Sequence, residues 1–146
     1  MFHKEKPDYN RRQYGFYTID ELVPEDHFLR QVDLEVDFDF IYDLVEDTYS
    51  PDNGRLSLDP VMLVKTPLIQ CFYGIRSMRQ TIKDIEVNVA YRWFFGLTLD
   101  DKVPHFTTYE KNYSRRFQDK ELISEIISQV LNQVLCAGLI DRYLLF

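Results

Sequence analysis

The sequence predicts an all-α fold, a compact multi-helix domain that contains a helix-turn-helix-like unit. Residue pairs that cap helices recur along the chain, as where Ser77 is followed three residues later by Gln80. Apolar residues recur at spacings of three and four, which is the helical period. Neither a regular alternation of strands with helices nor a convincing hairpin occurs, so no sheet is expected.

The N-terminal third is expected to consist of an arm followed by two helices. Residues 1–19 show no apolar period, and we interpret them as a flexible arm. The segment 24–26 joins a proline to two acids, a composition that suits the first turn of a helix. A second amphipathic helix is predicted from about Phe38 to about Tyr49.

The middle of the chain predicts three helices with tight joints. Asp59 caps the first, an apolar run that ends at Tyr73. Ser77 caps the second, which carries arginine and lysine, and Asn88 caps the third, which Gly96 ends. Three short helices in this order, with a basic middle member, form the pattern of a helix-turn-helix-like unit.

Pro67 is the anomaly of the first of these helices. A proline inside a helix removes a backbone donor and clashes with the carbonyl four residues earlier, at a cost of about 3 kcal/mol. We therefore predict a kink or an interruption between Leu63 and Leu68.

Two further helices complete the prediction. Thr107 with Glu110 predicts a capping box at the start of a helix that exposes basic residues. The last helix has paired apolar residues throughout 122–135, with Asp119 as its cap and Gly138 as its stop. We expect this last helix and the apolar helix before Tyr73 to form the centre of about six helices.

Composition bounds the class of protein. A chain of 146 residues, 45% of them hydrophobic, is expected to fold as one domain with its own core. Cys71 and Cys136 lie in apolar helical contexts without a CxxC partner, which predicts buried reduced thiols and not a disulfide or metal site. The absence of an apolar signal segment and of a long apolar run predicts a cytoplasmic protein with no membrane partner.

The net charge of −7 is distributed unevenly. Residues 20–59 hold 13 acidic and 2 basic side chains, whereas residues 60–118 hold 9 basic and 5 acidic ones. A mildly basic centre permits a nucleic-acid face, and a solvated charged surface is the alternative. The arm has its own cations, which either contact phosphate or stay uncommitted: Lys4, Lys6, Arg11 and Arg12.

Five separated motifs resemble one known family. They are Val23-Pro24-Glu25-Asp26-His27, Tyr49-Ser50-Pro51-Asp52-Asn53-Gly54-Arg55, Tyr73-Gly74-Ile75-Arg76-Ser77, Ala90-Tyr91-Arg92-Trp93-Phe94 and Lys111-Asn112-Tyr113-Ser114-Arg115-Arg116-Phe117. In this order they resemble the N-terminal domain of InsH-type insertion-sequence transposases. The resemblance implies a helical domain that binds the ends of the mobile element, ahead of an RNase H-like domain whose Asp, Asp and Glu hold two metals.

The resemblance covers residues 22–141 and then stops. It implies a helical transposase domain at 20–141, a divergent tail at 142–146, and a chain truncated before the catalytic domain. The residues themselves agree, because the acids of 33–47 alternate with apolar residues as on solvated helix faces, and the three histidines lack ligand spacing. We expect no catalytic residue, no metal and no cofactor.

Exposed cations are the side chains expected to contact DNA. The candidate residues are Arg76, Arg79, Lys83 and Arg92 on one surface, and Lys111, Arg115 and Arg116 on the other. The alternative for each is a plain surface cation or a salt bridge to the acidic first third. Trp93 is open to interpretation as a stacking platform or a packing residue. For the whole domain, the alternatives are a module that pairs with a second copy or a full-length transposase, and a product without function.

Overall fold

The computed structural model describes residues 11–46, 58–117 and 120–139. These residues form eight α-helices and no strand, which confirms the all-α prediction. The predicted helix end near Tyr49, the Asp119 cap, and the tail 142–146 lie outside the described residues. In chain order the helices are α1 (Ile19–Leu22), α2 (Phe28–Glu35), α3 (Phe40–Val45), α4 (Pro60–Tyr73), α5 (Met78–Val87), α6 (Val89–Phe95), α7 (Phe106–Arg116) and α8 (Lys120–Cys136).

Local caps set the bounds of α4, α5 and α6 as predicted. The side chain of Asp59 accepts a hydrogen bond from the amide two residues later at 2.8 Å. Those of Ser77 and Asn88 accept from amides three residues later, at 3.0 and 3.1 Å. Gly96 ends α6 at a φ of 77°, a conformation that favours glycine. The helix-turn-helix-like character of these three helices stays a prediction.

Two predicted helix starts are wrong because histidines cap the helices. The segment 24–26 forms a turn, and α2 begins only after His27, whose Nδ1 accepts an amide hydrogen bond at 3.1 Å. His105 caps α7 in the same way at 3.3 Å, so that helix begins ahead of the predicted Thr107 box. Histidine is not among the usual capping residues, and the sequence signal was therefore missed.

Helix α4 lies at the centre of the fold, in contact with α3, α5, α7 and α8. Its fully buried side chains include Leu63, Val64, Leu68 and Ile69. Helix α8 also packs against α2, so the first and last thirds of the chain meet across the core. Core burial of this kind, and not helix propensity, supplies most of the stability of short helices.

Both cysteines are free thiols, and both are exposed. The prediction of buried thiols is therefore wrong. Cys71 lies in an apolar stretch of sequence, but it points away from the side of α4 that faces the core, and Cys136 is the last residue of α8. Apolar neighbours in sequence do not reveal which side of a helix is covered.

Helix α4 runs unbroken through Pro67, so the interruption that was one of the two predicted outcomes is wrong, while the kink stays a prediction. Proline leaves the carbonyl of Leu63, four residues earlier, without its helical donor. The buried hydroxyl of Tyr109, on α7, donates to this same carbonyl. The hydroxyl of Thr66 also donates to the carbonyl of Met62 at 3.1 Å. A tertiary partner thus supplies the hydrogen bond that the proline removes.

Several tyrosines are expected to stay protonated to unusually high pH. Burial, together with the smaller effects of Tyr73 and Asp84, raises the pKa of Tyr91 to about 12. Burial also raises the pKa of Tyr73, Tyr109 and Tyr113. Because the phenol loses its proton more readily in the unfolded chain, the stability from these groups is intact below pH 10 and falls as the pH rises toward 12.

We therefore predict that the protein unfolds cooperatively at alkaline pH, with the release of tyrosinate. Burial lowers the pKa of Lys65, so the stability that depends on this one group rises with pH, opposite to the effect of the tyrosines. Tyr91→Phe should move the alkaline midpoint upward, and Tyr14→Phe, at an exposed position, should leave it unchanged. In one alkaline titration, absorbance measures the release of tyrosinate and circular dichroism measures unfolding. An identical midpoint for Tyr91→Phe and wild type would contradict the prediction.

Candidate nucleic-acid interface

Three of the candidate cations lie on α5 or directly before it. Arg76 lies in the turn that precedes the helix, and Arg79 and Lys83 lie one turn apart along it. All three are exposed. The buried side of the same helix includes Ile82 and Ile85, so the cations face away from the core.

Two further candidates, Lys111 and Arg115, lie one turn apart on α7 and are exposed. Tyr109 is fully buried on the other side of this helix, and Phe117, the residue that follows the helix, is also buried. Arg116 is the last residue of α7, and its side chain lies outside the described part of the structure.

The two candidate clusters lie on neighbouring helices, because α5 packs against α7. The guanidinium carbon of Arg79 lies 4.5 Å from the ring centre of Phe106, the first residue of α7, within the range of a cation–π contact. A groove of about 370 Å³ follows the same junction and is lined by Met78, Tyr113 and Ser114, among others. Sequence spacing alone does not reveal this proximity.

Arg92 differs from the other candidates because it is only 9% exposed. Its guanidinium donates two hydrogen bonds to the carbonyl of Glu86, at 3.1 and 3.2 Å, and one each to Thr98 at 2.8 Å and Asp101 at 2.9 Å. Arg92 therefore joins the end of α5 to the loop before α7. This corrects the expectation of an exposed cation, because four of the five N–H donors of the guanidinium are already bonded to carbonyls of the protein.

Lys65 is a second cation used inside the protein, and sequence reasoning missed it. Its Nζ donates to the carbonyl of Phe94 at 2.7 Å, in the last turn of α6, where a cation complements the negative end of the helix. The ammonium lies 4.4 and 4.7 Å from the ring centres of Phe94 and Phe38, and 3.8 Å from a carboxylate oxygen of Asp33. Burial lowers the pKa of Lys65, and the charge of Asp33 partly offsets this effect.

Trp93 connects the N-terminal segment to α6. Its Nε1 donates to Oδ1 of Asp20 at 2.9 Å, and the same oxygen accepts from Arg30 at 2.9 Å. The guanidinium of Arg30 lies 4.7 Å from the centre of the indole ring. Hydrogen bonds from Trp93 and then from Arg30 lower the pKa of Asp20. Trp93 is thus engaged within the protein and not a free stacking platform.

The remaining candidate cations have no carboxylate partner in the described structure. The ion pairs there are Arg30–Asp20 and Lys65–Asp33, and neither includes a residue of the two candidate surfaces. Salt bridges to the acidic first third are therefore not seen for these residues within the described ranges. The exposed cations in question are Arg76, Arg79, Lys83, Lys111 and Arg115.

Within residues 11–46, 58–117 and 120–139, no three side chains of His, Cys, Asp or Glu are grouped so that they would hold a metal ion. None of the helices in the same ranges is long and apolar enough to cross a membrane.

A family model described as Transposase domain (DUF772) matches residues 17–115, which is more than half of the chain. The chain belongs to this family. The match confirms the resemblance to transposases, while the narrower InsH-type assignment and the domain bounds 20–141 stay predictions. No curated protein and no solved structure matches the chain significantly. The matched part of the transposase domain runs from α1 into the last turn of α7 and includes every candidate cation of the two surfaces except Arg116.

Proposed function

We propose that this transposase domain binds duplex DNA through the outward faces of α5 and α7, and that it has no DNA-cutting chemistry of its own. The observation that carries the proposal is the set of exposed cations, without carboxylate partners among the described residues, on two helices that pack together. The proposed contacts are Arg76, Arg79, Lys83, Lys111 and Arg115, with Arg116 added on its sequence position alone and Arg92 left out.

Helix α7 is expected to contribute more than α5. The acids of α5, Asp84 and Glu86, offset the charge of its two cations. Helix α7 carries Lys111, Arg115 and Arg116 against the single acid Glu110. Because phosphate contacts are electrostatic and release counterions, the helix with the larger net positive charge gains more from binding DNA.

The test is the salt dependence of binding to a duplex that carries the element's terminal repeats. The logarithm of the binding constant should fall linearly with the logarithm of the salt concentration, with a slope of about 0.9 for each phosphate contact. Lys111→Gln combined with Arg115→Gln should lower that slope by about two, and so should Arg79→Gln combined with Lys83→Gln. The α7 pair should cost more affinity, because α7 has the larger net positive charge. Fluorescence anisotropy at several salt concentrations measures the slopes.

Lys102→Gln is the matched control, because Lys102 is an exposed cation in the loop before α7 and lies outside the proposed contacts. The salt slope of Lys102→Gln should equal that of wild type within about 0.5, which is about half of the slope of one phosphate contact. Equal slopes for all the variants, or binding that does not depend on salt, would reject the interface.

A pairing role is the second candidate, and α8 favours it. Beside its fully buried line of residues, Ile127, Leu131 and Leu135 form a second apolar line at four-residue spacing that is only half-buried. A second copy or a full-length transposase would cover this line and remove apolar surface from water. Sedimentation measures the mass of the particle in solution. If that mass rises with protein concentration and DNA binding does not depend on salt, the pairing role replaces the first proposal.

A further inference from the structure

The segment ahead of α1 exposes three aromatic rings. Residues 11–18 form neither helix nor strand. Tyr14 is 97% exposed, Phe16 is fully exposed, and Tyr17 is 56% exposed. Single exposed apolar residues are ordinary, but a cluster of exposed rings within four residues marks an interaction site.

The charge of this segment is positive. Arg11 and Arg12 are exposed, and the sequence between Asp8 and Asp20 contains no acid. The segment 11–18 also contains no aliphatic side chain, which argues against insertion into an apolar groove of a protein. Rings interleaved with guanidinium groups fit a nucleic acid, which offers phosphates to the cations and base faces to the rings.

We infer that the arm Arg11–Tyr17 binds unpaired bases of DNA, with Tyr14 and Phe16 stacked on the bases and Arg11 and Arg12 at the phosphates. The bases must be unpaired or unstacked, because the faces of bases inside an intact duplex are already covered by their neighbours. The inference rests on the proposed function, since the arm is taken to act on the same DNA that α5 and α7 hold.

Tyr17 is left out of the stacking pair because its ring lies against the backbone of the arm. A Cβ atom placed on Gly15 would lie 2.0 Å from Cε2 of Tyr17, so only glycine allows the ring to fold back there. Tyr14 and Phe16, by contrast, have their rings open to solvent.

The root of the arm is fixed close to the proposed DNA surface. Helix α1 packs against α6, where Asp20 accepts the hydrogen bond from Trp93, and α6 packs against α5. Seven extended residues span up to about 24 Å, because each covers at most about 3.3 to 3.6 Å. An extended arm of this length, rooted at α1, is long enough to cross the neighbouring α6 toward DNA on the outward face of α5.

The test compares a blunt duplex with the same duplex carrying a single-stranded extension, using the full chain and fluorescence anisotropy. Wild type should bind the extended duplex about tenfold more tightly than the blunt one, from the stacking of bases on aromatic rings. Tyr14→Ala combined with Phe16→Ala should remove most of this preference, leaving only the part that Arg11 and Arg12 contribute, and should leave blunt-duplex affinity unchanged. The conservative pair Tyr14→Phe with Phe16→Tyr should keep the preference.

Arg11→Gln combined with Arg12→Gln should weaken binding of the extended duplex and lower its salt slope by about 1.4, because each phosphate contact to a single strand contributes about 0.7. All arm variants should melt at the wild-type temperature, because their side chains lie outside the core. A measured melting temperature equal to that of wild type would exclude unfolding as the cause of a loss of binding.

Equal affinity of wild type and the Tyr14→Ala, Phe16→Ala variant for the extended duplex would overturn the inference, and so would the absence of any preference in wild type. Self-association that disappears in that variant would assign the rings to a protein contact instead. These failures are separable from failure of the proposed function, which is judged by the blunt duplex and the α7 variants. A chain that binds neither DNA would overturn both.

Discussion

Replacing Arg92 by alanine should lower the free energy of unfolding by about 3 kcal/mol. The change removes the donor from the carbonyls of Glu86, Thr98 and Asp101 at once. An acceptor that loses its partner out of reach of water costs about 1 to 3 kcal/mol. These three hydrogen bonds are part-buried, so water will satisfy some of the carbonyls and the total stays near the cost of one or two of them. Denaturant unfolding followed by circular dichroism measures the loss.

Arg92→Lys should fall between wild type and alanine, because one ammonium group cannot reproduce a planar fork of donors that reaches three carbonyls. Arg76→Ala, at an exposed position, should change stability by less than about 0.5 kcal/mol. Since the partners of Arg92 are neutral carbonyls and not carboxylates, the loss should be nearly the same at low and high salt. A loss below about 1 kcal/mol would contradict the structural role of Arg92.

Removing the hydroxyl of Tyr109 should destabilise the protein by about 1 to 3 kcal/mol, because Tyr109→Phe leaves the buried carbonyl of Leu63 without any donor. The cause lies in Pro67, which cannot offer an amide to that carbonyl. In a Pro67→Ala background the restored amide bonds to Leu63, and the cost of Tyr109→Phe should become smaller. Denaturant unfolding of the two single variants and the double variant gives the coupling between the two sites.

We expect that coupling to be about 1 kcal/mol. Tyr113→Phe is the matched control, since Tyr113 lies one turn further along α7 and is only half-buried. It should cost less than Tyr109→Phe and should not depend on residue 67. If Tyr109→Phe costs the same in both backgrounds, the tyrosine does not compensate for the proline.

Short-range patterns in the sequence were sufficient to predict the helical class and the bounds of the central helices. The caps at Asp59, Ser77 and Asn88 are contacts with amides two or three residues away, and Gly96 acts through its own backbone angle. Interactions of such short range can be recognised without knowledge of the fold. The exposure of cations on α5 and α7 followed from the same helical period, because these helices are long enough to define a buried and an outer side.

The tertiary structure alone decided which cations are free. Helix α6 has only seven residues, which are too few for its apolar period to define a buried side. Two of the three carbonyls that bind Arg92 belong to the loop that follows α6. The partners of Lys65 and Tyr109 are 29 and 46 residues away in sequence. Such long-range contacts depend on how the helices pack against one another. Helical periodicity does not encode that packing, and for this reason the buried cations and the compensation of Pro67 became visible only in the folded chain.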